Sequence, residues 1–235
     1  MWEAESHPQW QDYSLVCFAA LACPLARFLL DSCVFQRLAE RAIFPDGENN
    51  LKKIVRDSRR KKIPKFMESA WKLTYYTATV VLALLVTYKE PWFGNTNAFW
   101  HGWPNQSLKS FRVGSIVLVL HDVSDIFLES AKLCKYSGSE LGASVLFGLF
   151  ALSWGLLRLV YFPFWIIRST SLDIIEHLDK SNPLHTIQYY AFNTLLLTLL
   201  IIHIYWWWLI CRMISRQLQL QGRIPDDVRS DSDDD

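Results

Sequence analysis

Between Phe111 and Ser137 the sequence FRVGSIVLVLHDVSDIFLESAKLCKYS places His121, Asp122, Asp125 and Glu129 inside an otherwise apolar run. A histidine exchanges protons near neutral pH, and a neighbouring carboxylate can orient its ring, so these residue types suit acid–base chemistry. In a helix Asp122, Asp125 and Glu129 stand at i, i+3 and i+7 on one face, and His121 shares a face with Asp125 at i+4. The eight residues Val113 to Leu120 gain about 3 kcal/mol on entering a bilayer, whereas each aspartate near its centre costs about 2.5 to 3.5 kcal/mol. The acids must therefore face protein or water. Two arrangements meet that demand. One is a functional polar stripe enclosed in a helical bundle; the other is a surface helix whose acidic side is solvated, with Lys132 and Lys135 as partners.

The elements that carry this stripe are membrane helices. A chain of 235 residues that is 51% hydrophobic, with 11 tryptophans, exceeds the apolar content of an ordinary soluble domain. The net charge of +1 is neutral overall, and no basic-aromatic array of the kind that binds nucleic acid is present. The five cysteines, Cys17, Cys23, Cys33, Cys134 and Cys211, lack metal-ligand spacing and read as small buried hydrophobes. The expected fold is all-α: an integral membrane bundle of about five spans, each near the 20 residues needed to cross the hydrocarbon.

The first expected span runs from about Tyr13 to Phe35, with Pro24 as a kink and Arg27 and Asp31 as an i, i+4 pair. Trp71 to Tyr88 is the second, and the acidic segment is the third. The fourth covers Leu141 to Ile167, where Pro163 should bend or break the helix and Arg158 should face inward or snorkel. The fifth is Tyr189 to Cys211, ending in Trp206, Trp207 and Trp208 as an aromatic belt.

Charge sets the orientation. Lys52 to Lys65 holds eight basic residues against the single acid Asp57, which assigns that loop to the cytosol. The N-terminus and the loop Lys89 to Ser110 then fall on the lumenal side. That loop contains the sequon Asn105-Gln106-Ser107, whose glycosylation requires the lumen. The acidic N-terminal residues mark the first apolar run as a retained span rather than a signal peptide. The stretch GRIPDDVRSDSDDD reads as a disordered cytosolic tail, with Ser230 and Ser232 set among six aspartates as candidate phosphorylation sites. Three regions result: 1–64 with the first span and basic loop, a membrane domain over 65–217, and the tail 218–235.

RVGSIVLVLHDVSDIFLESAKL closely resembles the Lag motif of ceramide synthases within the TLC-domain membrane proteins. The resemblance continues through ESHPQWQDY, KFMESAWKLTYY, TYKEPWF, LRLVYFPFWIIRST and DDVRSDSDDD, and its details look like the plant longevity-assurance homologues. It implies a multi-pass endoplasmic reticulum enzyme that moves a fatty acyl group from acyl-CoA to the amine of a sphingoid base, with acyl-CoA as co-substrate and neither metal nor other cofactor. Such an amine needs a base to hold it neutral, or a nucleophile that first accepts the acyl group.

The family places a pair of adjacent histidines on a span before the Lag helix. Here none of the six histidines, His7, His101, His121, His177, His185 and His203, is adjacent to another. About fifty residues, holding two spans, are missing where WPNQSLKS runs straight into FRVGS. Losing two spans preserves the orientation but is expected to bare the acidic face of the Lag helix to lipid, favouring misfolding or rescue by a partner. Under the resemblance His121 is the remaining candidate base, Asp122 and Asp125 orient the amine, and Arg112 and Glu129 contact substrate. His121 and the acids could equally supply structural hydrogen bonds, and His203 reads as an interhelical structural histidine. The alternative reading of the chain is a noncatalytic isoform that binds lipid or pairs with intact synthases, and homo- or heterodimers with other ceramide synthases are the expected assemblies.

Overall fold

The computed structural model describes residues 10–45, 47, 52–90, 110–177 and 183–219, and among them every regular element is a helix. Helix α1 (Trp10–Leu30) passes through a π-helical turn (Asp31–Phe35) into α2 (Gln36–Ile43). Short α3 (Lys53–Arg60) precedes α4 (Lys62–Thr87), and α5 (Ser110–Tyr136) carries the acidic stripe. Helix α6 (Glu140–Trp154) continues as a π-helical stretch (Gly155–Ile167) and α7 (Arg168–Ser171). A 3-10 turn (Asp173–His177) and the long α8 (Pro183–Gln219) complete the described chain. Asn105, Ser230 and Ser232 lie outside the described residues.

Among the described residues four helical stretches are long and apolar enough to cross a membrane: Tyr13–Ile43, Lys53–Thr87, Glu140–Ile175 and Pro183–Gln219. The fifth expected span, α5, has 27 residues, a length of about 40 Å, but its charged side chains lower its apolarity below theirs. It gains its apolar environment from neighbours instead, packing most extensively against α4 and α6.

Both prolines expected to disturb a span lie within continuous helical stretches. Pro24 lies within an uninterrupted α1, and the helix widens only at Asp31–Phe35, where Arg27 approaches Asp31 at 3.6 Å as expected. Pro163 does not break its helix, because the surrounding 13 residues adopt i→i+5 geometry and absorb the missing N–H. Between α5 and α6, Gly138 takes a φ of +83°, and Ser139 N–H donates to the Cys134 carbonyl at 2.9 Å. This closes α5 with a Schellman-type turn and reverses the chain.

The interior is layered. Val113, Leu120, Phe162, Ile166 and Leu196 form one apolar cluster. Ala131, Phe147, Phe150, Trp154 and Ile210 form a second, nearer the α5–α6 turn. A third joins Phe35, Ala39 and Ile43 to Phe66 and Ala70 of α4. Gly155 lets α8 close in, since a Cβ there would lie 3.2 Å from the ring of Trp207. Trp207 therefore turns inward, while Trp206 and Trp208 keep the outward positions expected of a belt. Cys17, Cys23 and Cys33 are exposed, correcting the reading of the cysteines as buried. They sit on α1 and its π-helical continuation, where the outward surroundings are apolar, so a small thiol meets no penalty.

Asn193 joins α8 to α7. Its Oδ1 accepts from Thr170 and Ser171 hydroxyls, both at 2.9 Å, and its Nδ2 donates to the carbonyls of Thr170 and Tyr189, both at 3.0 Å. Replacing Asn193 with Leu should lower stability by about 1–2 kcal/mol. The expected outcome is an earlier thermal midpoint in detergent, read by fluorescence-detected size exclusion.

Candidate active site

The acidic face of α5 points into the bundle between the two apolar layers. Asp122, Ser124 and Glu129 are buried, which removes the solvated-surface arrangement and the expected exposure to lipid. Each acid has its own partner. Asp122 Oδ2 accepts from the Thr79 hydroxyl of α4 at 2.7 Å. Asp125 Oδ1 accepts from Arg158 at 3.0 Å, and Glu129 pairs with Lys132 at 2.9 Å. Asp125 is the most open of the three, with 26% of its side chain exposed.

Arg158 faces inward and organises the centre. From the π-helical stretch, its Nη2 donates to Asp125, to the Ser124 hydroxyl at 2.8 Å and to the His121 carbonyl at 3.0 Å. Its guanidinium lies 3.6 Å above the Trp154 ring, adding a cation–π contact. One side chain thus ties three polar groups within little more than one turn of α5 to α6 and its continuation.

His121 meets a second imidazole. Its Nε2 lies 2.8 Å from Nε2 of His203, which stands 82 residues later on α8. His121 Nδ1 is 2.6 Å from the Val117 carbonyl, which can only accept, so Nδ1 carries the proton. In the neutral ring Nε2 is then the basic atom, and His203 Nε2–H donates to it. His203 is 2% exposed, held edge-on by Trp154 and Phe162, and its Nδ1 makes no hydrogen bond among the described residues.

The structure therefore gathers His121, Asp122 and Asp125 with Arg158, His203 and Thr79. Asp125 engages Arg158 rather than His121, so the ring is oriented by Val117 and His203 instead of by the carboxylate. Arg112 stands nine residues before His121 and Glu129 eight after, about 12–14 Å along the helix in opposite directions. Neither joins the cluster. An apolar cleft of about 230 Å³ opens beside it, lined by Leu84, Thr87, Ile116, Leu120 and Tyr161.

A TLC domain model matches this chain twice, over residues 65–111 and 107–212. An ASC1-like protein of Solanum lycopersicum is 41% identical across 99% of this chain and 95% of its own length. Ceramide synthase 1 LOH3 of Arabidopsis thaliana is 42% identical across 99% of this chain and 94% of its own. The chain belongs to the ceramide synthase family. Human Ceramide synthase 3 is a more distant relative, 27% identical over 75% of this chain.

The alignments also locate what is absent. That with the tomato protein spans 294 positions against 235 residues here, so at least 59 positions are gaps in this family member. The two domain matches meet at 107–111, where the sequence departs from the family pattern. The gap positions together exceed the fifty residues expected, and the bundle closes over the acidic stripe without them.

Arg158 is the residue whose loss should be felt most. Arg158→Met strands Asp125 and the Ser124 hydroxyl in a low-dielectric layer, and breaking one side of a buried pair costs about 3–5 kcal/mol. Folded yield from membranes should collapse for Arg158→Met and recover in part when Asp125→Asn is added, because the second change removes the orphaned charge.

Proposed function

We propose that this chain retains the family reaction, transfer of a fatty acyl group from acyl-CoA to the amine of a sphingoid base, in the endoplasmic reticulum membrane. The observation that supports it is the layer of buried Asp122 and Arg158 with half-buried His121 and Asp125, placed mid-span near an apolar cleft. A lipid substrate can leave its alkyl chain among apolar side chains while its amine reaches this layer.

In this reading His121 Nε2 takes the proton that the amine releases as its lone pair attacks the thioester carbon; the C–N bond forms and the CoA thiolate leaves. Asp122 and Asp125 hold the amine, and Asp125 is the more accessible of the two. Arg158 fixes Asp125 in position through the hydrogen bond between them. Arg112 and Glu129 contact the substrate away from the reacting atoms. The basic loop Lys52 to Lys65 and the tail face the cytosol, and the N-terminus and Asn105 face the lumen. Phosphorylation of Ser230 and Ser232 deepens a negative charge already present.

A second reading follows from His121 having both nitrogens satisfied inside the protein. Such a ring is a structural element, and the chain is then a noncatalytic partner that pairs with intact synthases or binds lipid. Membranes from cells without their own ceramide synthases distinguish the two readings. Given acyl-CoA and sphinganine, the expressed chain should form ceramide, and His121→Ala should reduce the rate by about 10²- to 10⁴-fold at equal protein level. An unchanged rate in His121→Ala, or no product from well-expressed protein, would leave the noncatalytic reading.

A further inference from the structure

Helix α4 meets the acidic stripe of α5 with a stripe of its own. Met67 and Trp71 cluster with Leu133 and Tyr136, whereas Leu84 and Thr87 line one cleft with Ser115 and Ile116, so the two helices run antiparallel. The Thr79–Asp122 hydrogen bond fixes their register. Counting away from it in both helices brings Tyr76 opposite Asp125 and Lys72 opposite Glu129. Tyr76 accordingly stands within electrostatic reach of Asp125 and Glu129, and Lys72 within reach of Glu129. Tyr76 has no role in the chemistry described above.

Three polar atoms along this seam lack a hydrogen-bond partner among the described residues. The Tyr76 hydroxyl makes no hydrogen bond. Asp125 meets Arg158 through Oδ1, which leaves Oδ2. Glu129 is 4% exposed, and while its Oε1 accepts from Lys132, its buried Oε2 has no donor. A carboxyl oxygen enclosed in this way carries a desolvation cost that a donor relieves. Tyr76 and Asp125 are only half-buried, which leaves such a donor a way in. Charge specifies its sign. Asp122, Asp125 and Glu129 face the cations Arg158 and Lys132, while Lys72 is engaged by Glu68, so three carboxyls meet two committed cations and an incoming cation completes the balance.

We infer that Tyr76 positions the amine: its hydroxyl and Asp125 Oδ2 hold the ammonium group of a long-chain base, and Glu129 Oε2 accepts from the terminal hydroxyl of that base. The base lies along the α4–α5 seam with its alkyl chain toward the cleft of Leu84, Thr87 and Ile116, which continues the seam on the far side of Thr79 and Asp122. A sphingoid base presents its terminal hydroxyl, amine and chain in that same order. His121 and Asp125 stand at i and i+4, so an amine seated at Asp125 is one helical turn from His121. The binding stands by itself, and only delivery of the amine to the thioester rests on the acyl-transfer reading.

Binding of tritiated sphinganine to the purified full-length chain, without acyl-CoA, tests the seat. Tyr76→Phe keeps the ring and should raise Kd about tenfold, because it removes one hydrogen bond to a charged group. Tyr75→Phe, at the exposed neighbour, should leave Kd unchanged, and both variants should keep the thermal midpoint of the parent. Octadecylamine should displace sphinganine, whereas octadecanol should not. Equal Kd for Tyr76→Phe and the parent, equal displacement by the alcohol, or no sphinganine binding at all would overturn the inference. In membranes that form ceramide, Tyr76→Phe should raise KM for sphinganine and leave KM for acyl-CoA unchanged; an equal rise in both would overturn the positioning role. Binding that depends on Tyr76 in a chain that forms no ceramide would uphold the seat and sink the acyl-transfer reading alone.

Discussion

The fold depends on how charge is held in an apolar bundle. A carboxylate or guanidinium without partners at this depth would cost several kcal/mol, a large share of the net stability of a domain. Arg158 resolves most of that cost, because one guanidinium serves the Asp125 carboxylate, the Ser124 hydroxyl and the His121 carbonyl while stacking on Trp154. Its position requires the helix to carry Arg158 inward between Trp154 and Phe162, two of the aromatics that also frame His203. The π-helical stretch, the polar layer and the seating of α8 are therefore one structural unit.

Much of this unit was legible in sequence, for physical reasons. The i, i+3, i+7 spacing of Asp122, Asp125 and Glu129 announced a polar stripe, and the insertion cost of those acids required that it be enclosed or solvated. Enclosure was selected by residues elsewhere in the chain, namely Thr79 and Arg158, and periodicity within α5 carries no information about them. The 82-residue separation of His121 and His203 hid their pairing in the same way. A usable signal did exist, since a lone histidine in an otherwise apolar span needs a partner, and α5 offered one. Of the bend or break expected at Pro163, the break does not occur, because the effect of a proline depends on the hydrogen-bond ladder around it. An α-helix would have been broken at Pro163, whereas the wider ladder of this segment tolerates it.

A ceramide synthase family member lacking at least 59 aligned positions still buries its polar stripe. The residues that close it come from α4, the π-helical stretch and α8, which all lie outside the gap. The family pattern supplies two imidazoles from neighbouring positions on one helix. Here two imidazoles meet as well, but from different helices, and the contact satisfies Nε2 of each while Nδ1 of His203 makes no hydrogen bond among the described residues. The basic nitrogen of His121 therefore starts out occupied.

The first span has a different standing from the rest. Leu15, Val16, Phe18, Leu21, Leu25 and Phe28 of α1 all look outward, and the core contacts of this stretch begin at its last residue, Leu30, and continue at Phe35, Ala39 and Ile43. Almost any sequence of adequate length and oiliness could occupy α1 without disturbing a side chain in the polar layer. Evolution is free to rewrite that helix as a tether, whereas one changed residue near Arg158 must be answered by another.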